Sequence, residues 1–361
     1  MQALTAWRWW NFYVSSIPSP KRPLRLNLDE TALCLHPGAM PGNIFPSKKR
    51  PRGECAHLVS LSKRRCYATH VGLICDQPEI QVKLPQVVIV NERTVPQRDI
   101  AALQAACPAN VHLLRQESAW NNTALLAWTL ELLGVALRPF LGEFQPILLL
   151  DVVKFHWGKR VLAACRAARV WPLFVPAGMT WLLQPLDTHA FRLYKGFLRE
   201  AHADARALAL VGELPVAEFL QCVYRTIRSV LQGRRWASSF DANGFGDQQA
   251  HVTAFVLRQL QLDMPLAVPA DRPSDAEVGL CFPRGAVVPF DELWRAMCPA
   301  PCVPAVRLPR CGLVVARYQP RPAHPGPILP GRLRSDMARL RAASGAAASS
   351  SSTPAPPAVG P

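Results

Sequence analysis

Acidic side chains are scarce in this chain. Asp and Glu number 25 against 41 Lys and Arg, which leaves a net charge of +16 over 361 residues. A surplus of that size speaks to partners and not to fold. Nucleic acid is the first partner it suggests, because each neutralised phosphate releases counterions. An Arg- and Ala-rich, GC-biased composition accounts for the same number without any partner. Close cysteine pairs are also missing. The eleven cysteines are odd in number and scattered, with no C-x-x-C among them. That pattern reads as reduced thiols in an intracellular protein, not as a disulfide framework. No apolar run approaches the ~20 residues that span a bilayer, so no membrane partner is expected. The first segment, Met1 to Tyr13, is aromatic and interrupted by Arg8. It lacks the clean apolar stretch and small-residue cleavage site of a signal peptide. There is no internal repeat.

The organisation that is present divides into five stretches. Residues 1–23 read as a short lead ending in a Pro/Ser/Lys/Arg linker. Residues 24–200 alternate strand-like and helix-like segments, and residues 201–265 look like a helical extension. Residues 266–341 are Pro/Arg-rich with fading periodicity, and 342–361 form an Ala/Ser/Pro-rich tail expected to be disordered. Within 24–200, Leu24, Leu26 and Leu28 alternate with polar residues, the period of a half-buried strand. His57 to Leu61, Cys66 to Cys75 and Val87 to Val90 read as further strands, with a basic turn at Lys63-Arg64-Arg65. Trp120 to Leu133 has helical spacing. Ile147-Leu148-Leu149-Leu150 is an unbroken apolar run, as in a strand covered on both faces. Val161, Leu162, Cys165 and Ala168 make a helical stripe. Trp171 to Val175 is a short strand whose Pro172 favours a sheet edge. Pro185 suits the first turn of a helix that continues through Phe191, Tyr194, Leu198 and Ala201. Strands followed by β-α-β units predict an α/β fold with a mixed sheet flanked by helices.

Three aspartates fall at element boundaries: Asp29 ends the first strand pattern, Asp151 follows the buried strand, and Asp187 opens the long helix. A carboxylate at a strand end points into the crevice there. Neighbouring strands lie only ~4.8 Å apart, so Asp29 and Asp151 could share an ion if their strands adjoin. Mg²⁺ takes oxygen ligands, and two such ions can serve phosphoryl transfer. Taken alone, the three are as well explained as turn and helix caps.

The residues around them add a resemblance. Asn27-Leu28-Asp29-Glu30-Thr31 resembles the "N-x-D-E-T" opening of the pogo-like DDE superfamily of transposases, which includes the jerky and centromere-protein-B relatives. Leu148-Leu149-Leu150-Asp151 with His156 resembles that family's "LLLDNAPSH" segment. Phe174 to Thr180 followed by Leu183-Gln184-Pro185-Leu186-Asp187 resembles its "F-L-P-P-N-T-T…L-Q-P-L-D". Phe191 and Lys195, Ser118-Ala119-Trp120 with Trp128, and Trp236 to Phe245 fall near further family segments, so the resemblance covers about residues 24–250. It implies a ribonuclease-H-like fold with a five-stranded mixed sheet. It also implies a metal-binding and catalytic triad of Asp29, Asp151 and Asp187, with His156, Gln184 and Lys195 in support. The cofactor is then Mg²⁺ or Mn²⁺, and the partner DNA. The activity implied is cleavage and strand transfer at DNA phosphodiesters by a nuclear protein, with a homodimer left open. Three features depart from the family. Val152, Val153 and Lys154 follow the second acid in place of the usual Asn-led segment, and Ala177-Gly178 replaces Pro-Asn. The N-terminal helix-turn-helix region is also missing ahead of Asp29. These departures motivate the other reading, a domesticated and catalytically silent DNA-binding or chromatin protein.

Smaller signals remain. Lys48, Lys49, Arg50 and Arg52 form a basic run of the nuclear-import type, or a solvated loop. Arg192, Lys195 and Arg199 recur on one side of a helix, to track phosphates or merely face solvent. Cys298, Cys302, Cys311 and His324 lack a second close pair and read as free thiols, not as a zinc site. Trp7, Trp9 and Trp10 would stack on bases or, more commonly, pack in a core.

Overall fold

The computed structural model describes residues 2–34, 67–209, 214–246, 251–263 and 266–298, all within one structural unit, Met1–Ala316. The expected strand His57–Leu61, the basic runs at 48–52 and 63–65, Cys302, Cys311, His324 and the tail 342–361 lie outside the described residues.

Leu24, Leu26 and Leu28 are fully buried, as their alternation requires. Their strand, β1, is Arg22–Cys34, much longer than the alternation suggested. It is followed by β2 (Tyr67–Cys75), α2 (Pro78–Gln81), β3 (Gln86–Asn91), α3 (Gln97–Ala105) and β4 (Val111–Gln116). Next come α4 (Thr123–Leu137), β5 (Phe144–Asp151), α5 (Lys159–Ala167), β6 (Trp171–Val175) and α6 (Thr180–Leu183). A π-helical turn, Leu186–Ala190, leads into α7 (Phe191–Ala209). Helices α8 (Val216–Thr226), α9 (Ala237–Ala242), α10 (Ala254–Leu260), α11 (Asp275–Gly279) and α12 (Phe290–Arg295) follow among the described residues, and the helix α1 (Gln2–Ser15) precedes β1.

The strands form one sheet in the order β4-β3-β2-β1-β5-β6. Only β2 runs against its neighbours; β1, β5 and β6 are mutually parallel, as are β3 and β4. The order β3-β2-β1-β5-β6, with its second strand reversed and helices on the faces, is a ribonuclease-H-like fold. The expected five strands are six, because β4 adds itself outside β3. Short alternation in Val111-His112-Leu113 gave β4 too weak a signature to stand out. The pattern placed β5 between two covered layers, and each of its residues from Phe144 to Leu150 is buried. Pro172 does lie on the edge strand β6. It cannot donate to a ladder, and its carbonyl takes the Tyr13 hydroxyl at 2.9 Å.

That contact belongs to the first large difference from expectation. Residues 2–15 are not a loose lead but a helix with Trp7, Trp9, Trp10 and Tyr13 all buried. Packing, not base stacking, is therefore the role of the aromatic cluster. Each such ring withdraws 150–250 Å² from water, by the usual magnitude for aromatic side chains, and here they cover the outer face of β6. The indoles of Trp7 and Trp10 donate to the Asn243 and Gly246 carbonyls at 2.9 and 2.8 Å. Gly244 has φ +86°, and a Cβ there would come within 2.5 Å of the Trp7 indole nitrogen. Only glycine fits under that ring. A second difference concerns hydropathy. Thr123–Phe140 is long and apolar enough to cross a bilayer. Here Leu125, Leu126, Leu130 and Leu133 of that helix are buried in the core, and α4 packs on α5. Cys298 is an exposed free thiol.

His70, in the middle of β2, is completely buried. Its Nε2 lies 3.1 Å from Gln86 Oε1 and its Nδ1 has no partner. Burial pushes its pKa down to about 4, against the opposing pull of Gln86. The folded protein therefore keeps His70 neutral, while the unfolded chain protonates it below the ordinary value near 6.5. Stability should fall as pH drops from about 6.5 toward 4, by up to ~3 kcal/mol from this group. Urea midpoints at several pH values should show a smaller drop in His70→Gln than in wild type. Equal drops would assign the acid sensitivity elsewhere.

Candidate active site

The carboxyl ends of β1, β3, β4, β5 and β6 share one edge of the sheet, and the three predicted acids lie there. β1 and β5 pair in parallel with Asn27 level with Leu149. Continuing that register by two residues brings Asp29 level with Asp151. Asp29 therefore does not end its strand as the alternation suggested; β1 runs on through Thr31 to Cys34, paired with β2. Asp151 does close β5. Asp187 sits in the π-helical turn Leu186–Ala190, with Pro185 in the αR conformation just ahead of it. The widened turn re-aims side chains relative to α7, and such turns recur at functional sites.

Asp29 is buried. Burial first, then the nearby carboxylates of Asp187, Glu30 and Asp151, hold its pKa well above the usual carboxylate range. Asp151 and Asp187 thus both lie within electrostatic reach of Asp29, and so does Glu30. His156 is fully buried between two of these groups. Its Nδ1 contacts the Asp151 carboxylate and its Nε2 lies 3.1 Å from Glu30 Oε1. Burial works to lower its pKa, but Glu30 and Asp151 outweigh it and hold the imidazolium well above its ordinary range. The Glu30 carboxylate also accepts from the Asn121 amide at 2.6 Å. Lys195, from the first turns of α7, feels both Asp187 and Asp29; burial lowers its pKa against their pull. Gln184 is buried with neither end of its amide hydrogen-bonded, so it touches none of the acids through a hydrogen bond.

An all-oxygen donor set on two adjoining strands and a facing turn is of the kind a hard divalent cation takes. The raised Asp29 carboxyl marks a shortage of positive charge, which such an ion would relieve. As the side chains stand, Asp151 is engaged by His156. Among the described residues no three His, Cys, Asp or Glu side chains are grouped so as to hold a metal. The donor chemistry fits, with Asp151 held by His156 through one of its two carboxylate oxygens.

Two asparagines that the sequence reading did not assign hold this arrangement. Asn27 Nδ2 donates to the Leu149 carbonyl at 3.1 Å, and its Oδ1 accepts the Leu186 N–H at 2.8 Å. It ties β1 to β5 and to the turn of Asp187. Asn243 donates to the Leu182 carbonyl and accepts the Thr188 hydroxyl at 3.0 Å. A signal for Asn27 was available: it is polar, two residues from Asp29, and so on the same face of a buried strand. Asn243 had only its Asn-Gly dipeptide, which reads equally well as an ordinary turn.

No family model matches the chain, and no curated protein matches it. Among solved structures, the "Mos1 transposase paired-end complex with left transposon end" is similar at 14% identity and a TM-score of 0.33, covering 67% of this chain. The chain spans 62% of the length of that protein. At this level of similarity the assignment of fold rests on the strand order itself.

Asn243→Ala should lower stability by ~1–3 kcal/mol, the cost of leaving buried groups unpaired, and Thr188→Val by less. The double mutant should fall short of the sum, since both remove one network. Strict additivity in denaturant midpoints would show that the two residues act separately.

Proposed function

We propose that this chain is a DDE-type, transposase-derived endonuclease that cleaves and transfers strands at DNA phosphodiesters. Asp29, Asp151 and Asp187 are its metal-holding acids and Mg²⁺ or Mn²⁺ its cofactor. The observation that carries the reading is convergence. Asp29 and Asp151, 122 residues apart in sequence, stand level on adjoining strands. Asp187, 36 residues further on, lies within electrostatic reach of Asp29, whose carboxyl is raised by burial first and then by these acids. When bound, a pair of such ions activates the attacking oxygen and stabilises the leaving one.

The chain's own groups have simpler tasks. Asn27 and Asn243 fix the strand and the turn that carry the acids. His156 pairs with both Asp151 and Glu30 and orients them. The Lys195 ammonium, facing Asp187 and Asp29, is suited to meet a phosphate. The net charge of +16 favours the DNA backbone throughout, and the nucleus is the compartment that this substrate implies.

A second reading draws on the pairing of Asp151 with His156. Where the protein's own cations permanently occupy the acids, the chain is a catalytically silent DNA-binding protein of the same fold. Nicking of supercoiled DNA in Mg²⁺ or Mn²⁺ separates the two. The catalytic reading expects nicking in wild type and only background in Asp151→Asn and Asp29→Asn. Equal activity in wild type and Asp151→Ala would discard the triad. Salt-dependent DNA binding with no nicking, unchanged in Asp29→Asn, would establish the silent form.

A further inference from the structure

Two of the ten tryptophans are exposed, Trp120 at 59% and Trp181 at 39%. The other eight are buried in the core or packed against it. An indole has a large flat apolar face, and an exposed one is available to stack on a flat ligand. Neither exposed side chain has a hydrogen-bond or ring partner among the described residues.

Both lie on the sheet edge that carries the acids. Trp120 follows β4 and directly precedes Asn121, whose amide donates to Glu30, the neighbour of Asp29. Trp181 lies in α6, beyond the carboxyl end of β6. It directly precedes Leu182, whose carbonyl is held by Asn243, the residue that also takes the hydroxyl of Thr188 beside Asp187. The acid cluster thus has an unpartnered indole linked to it on the Asp29 side and another on the Asp187 side. Exposed Lys154 lies in the turn between β5 and α5, and exposed Lys159 and Arg160 open α5 on the same edge. None of the three is ion-paired among the described residues. The first turn of α5 has no side-chain cap and no acidic residue, so its own N–H groups add to that positive field.

The geometry points to a nucleobase-stacking platform: Trp120 and Trp181 take the faces of unpaired bases of a single DNA strand, while Lys154 and the two cations that open α5 take its phosphates. Stacking on aromatic faces beside a basic track is how proteins hold single strands without reading sequence. An apolar protein partner fits less well, because the edge that the two rings share carries the acids and exposed Lys154, Lys159 and Arg160. The inference rests on the DNA reading above and deepens it. It assigns the substrate at this edge as DNA with a melted or single-stranded segment, not an intact duplex.

The test is equilibrium binding of the full chain to two labelled DNAs, a blunt duplex and the same duplex with a single-stranded thymidine extension, at roughly 100 mM salt. Wild type should prefer the extended DNA. Trp120→Ala and Trp181→Ala should each weaken binding of the extended DNA by about tenfold and leave blunt-duplex binding unchanged. Trp120→Phe and Trp181→Phe should keep most of the preference, since a ring face remains. Both positions are exposed, so these variants should unfold at the wild-type midpoint. Equal wild-type affinity for the two DNAs, or alanine variants that bind the extended DNA as tightly as wild type, would overturn the platform and leave the DNA reading standing. No binding of either DNA would remove both.

Discussion

The parallel pairing of β1 with β5 sets everything at the acidic edge. Side chains alternate faces along a strand, so a slip of one residue would turn Asp29 away from Asp151 and put Leu28 in its place. Asn27 guards against that slip. Its amide is fully buried and spends both ends on backbone groups, the Leu149 carbonyl on the neighbouring strand and the Leu186 N–H on the turn. In a shifted register both bonds fail, and each unpaired buried group costs ~1–3 kcal/mol. One side chain therefore specifies the strand alignment and the position of the turn that carries the third acid. Core packing alone would not do this, because Leu24, Leu26 and Leu28 are interchangeable under a two-residue shift.

The charge inventory of the edge follows from that alignment. Asp29, Glu30, Asp151 and Asp187 converge, and the chain supplies His156 and Lys195 against them. Only Asp29 of the four is buried; Glu30 and Asp151 are half-buried and Asp187 is exposed, so the cost of desolvation falls on Asp29. The pairing is uneven. Asp151 and Glu30 share the imidazolium, while Asp29, the most enclosed, is left with a pKa well above its usual range. A divalent cation would correct the deficit at Asp29, and His156 engages Asp151 through one of its two carboxylate oxygens.

Much of this was legible in the residues, and the limits have physical causes. The alternation at Leu24-Leu28 and the unbroken run at Ile147-Leu150 gave β1 and β5 because their burial is dictated by side-chain pattern. Pro172 marked the edge strand because its missing N–H restricts where it can sit. The extent of β1 was not legible: beyond Asp29 the strand is held by hydrogen bonds to β2, which leave no hydrophobic signature of their own. The strand β4 is short and only half-alternating, and α1 reads as an aromatic lead until its partners near residues 243–280 are known. The same holds for Asn243. Its importance lies in three contacts made across 55 to 236 residues of chain, and a single sequence carries no trace of such distances.

That long-range dependence shapes the site itself. The turn bearing Asp187 is widened to a π-helix, a geometry that α7 alone would not adopt. It is held from outside by Asn243 through Thr188, and Asn243 is seated in turn by the Trp7 indole, under which only Gly244 leaves room. Arg25 closes the same loop from the sheet side, meeting Phe245 and Asp241 while paired with the buried Asp76 at 2.7 Å. A helix from the first residues of the chain and a loop more than two hundred residues later thereby fix one carboxylate. The third acid belongs less to its own helix than to a clamp assembled late, from distant parts. A change at Trp7 or Gly244, on the far side of that clamp from the acids, would move Asp187 while leaving Asp29 and Asp151 on their strands. The site is therefore divided mechanically: two acids are fixed on their strands, and the third sits on a turn tied to the sheet through Asn27 and to α1 through Asn243.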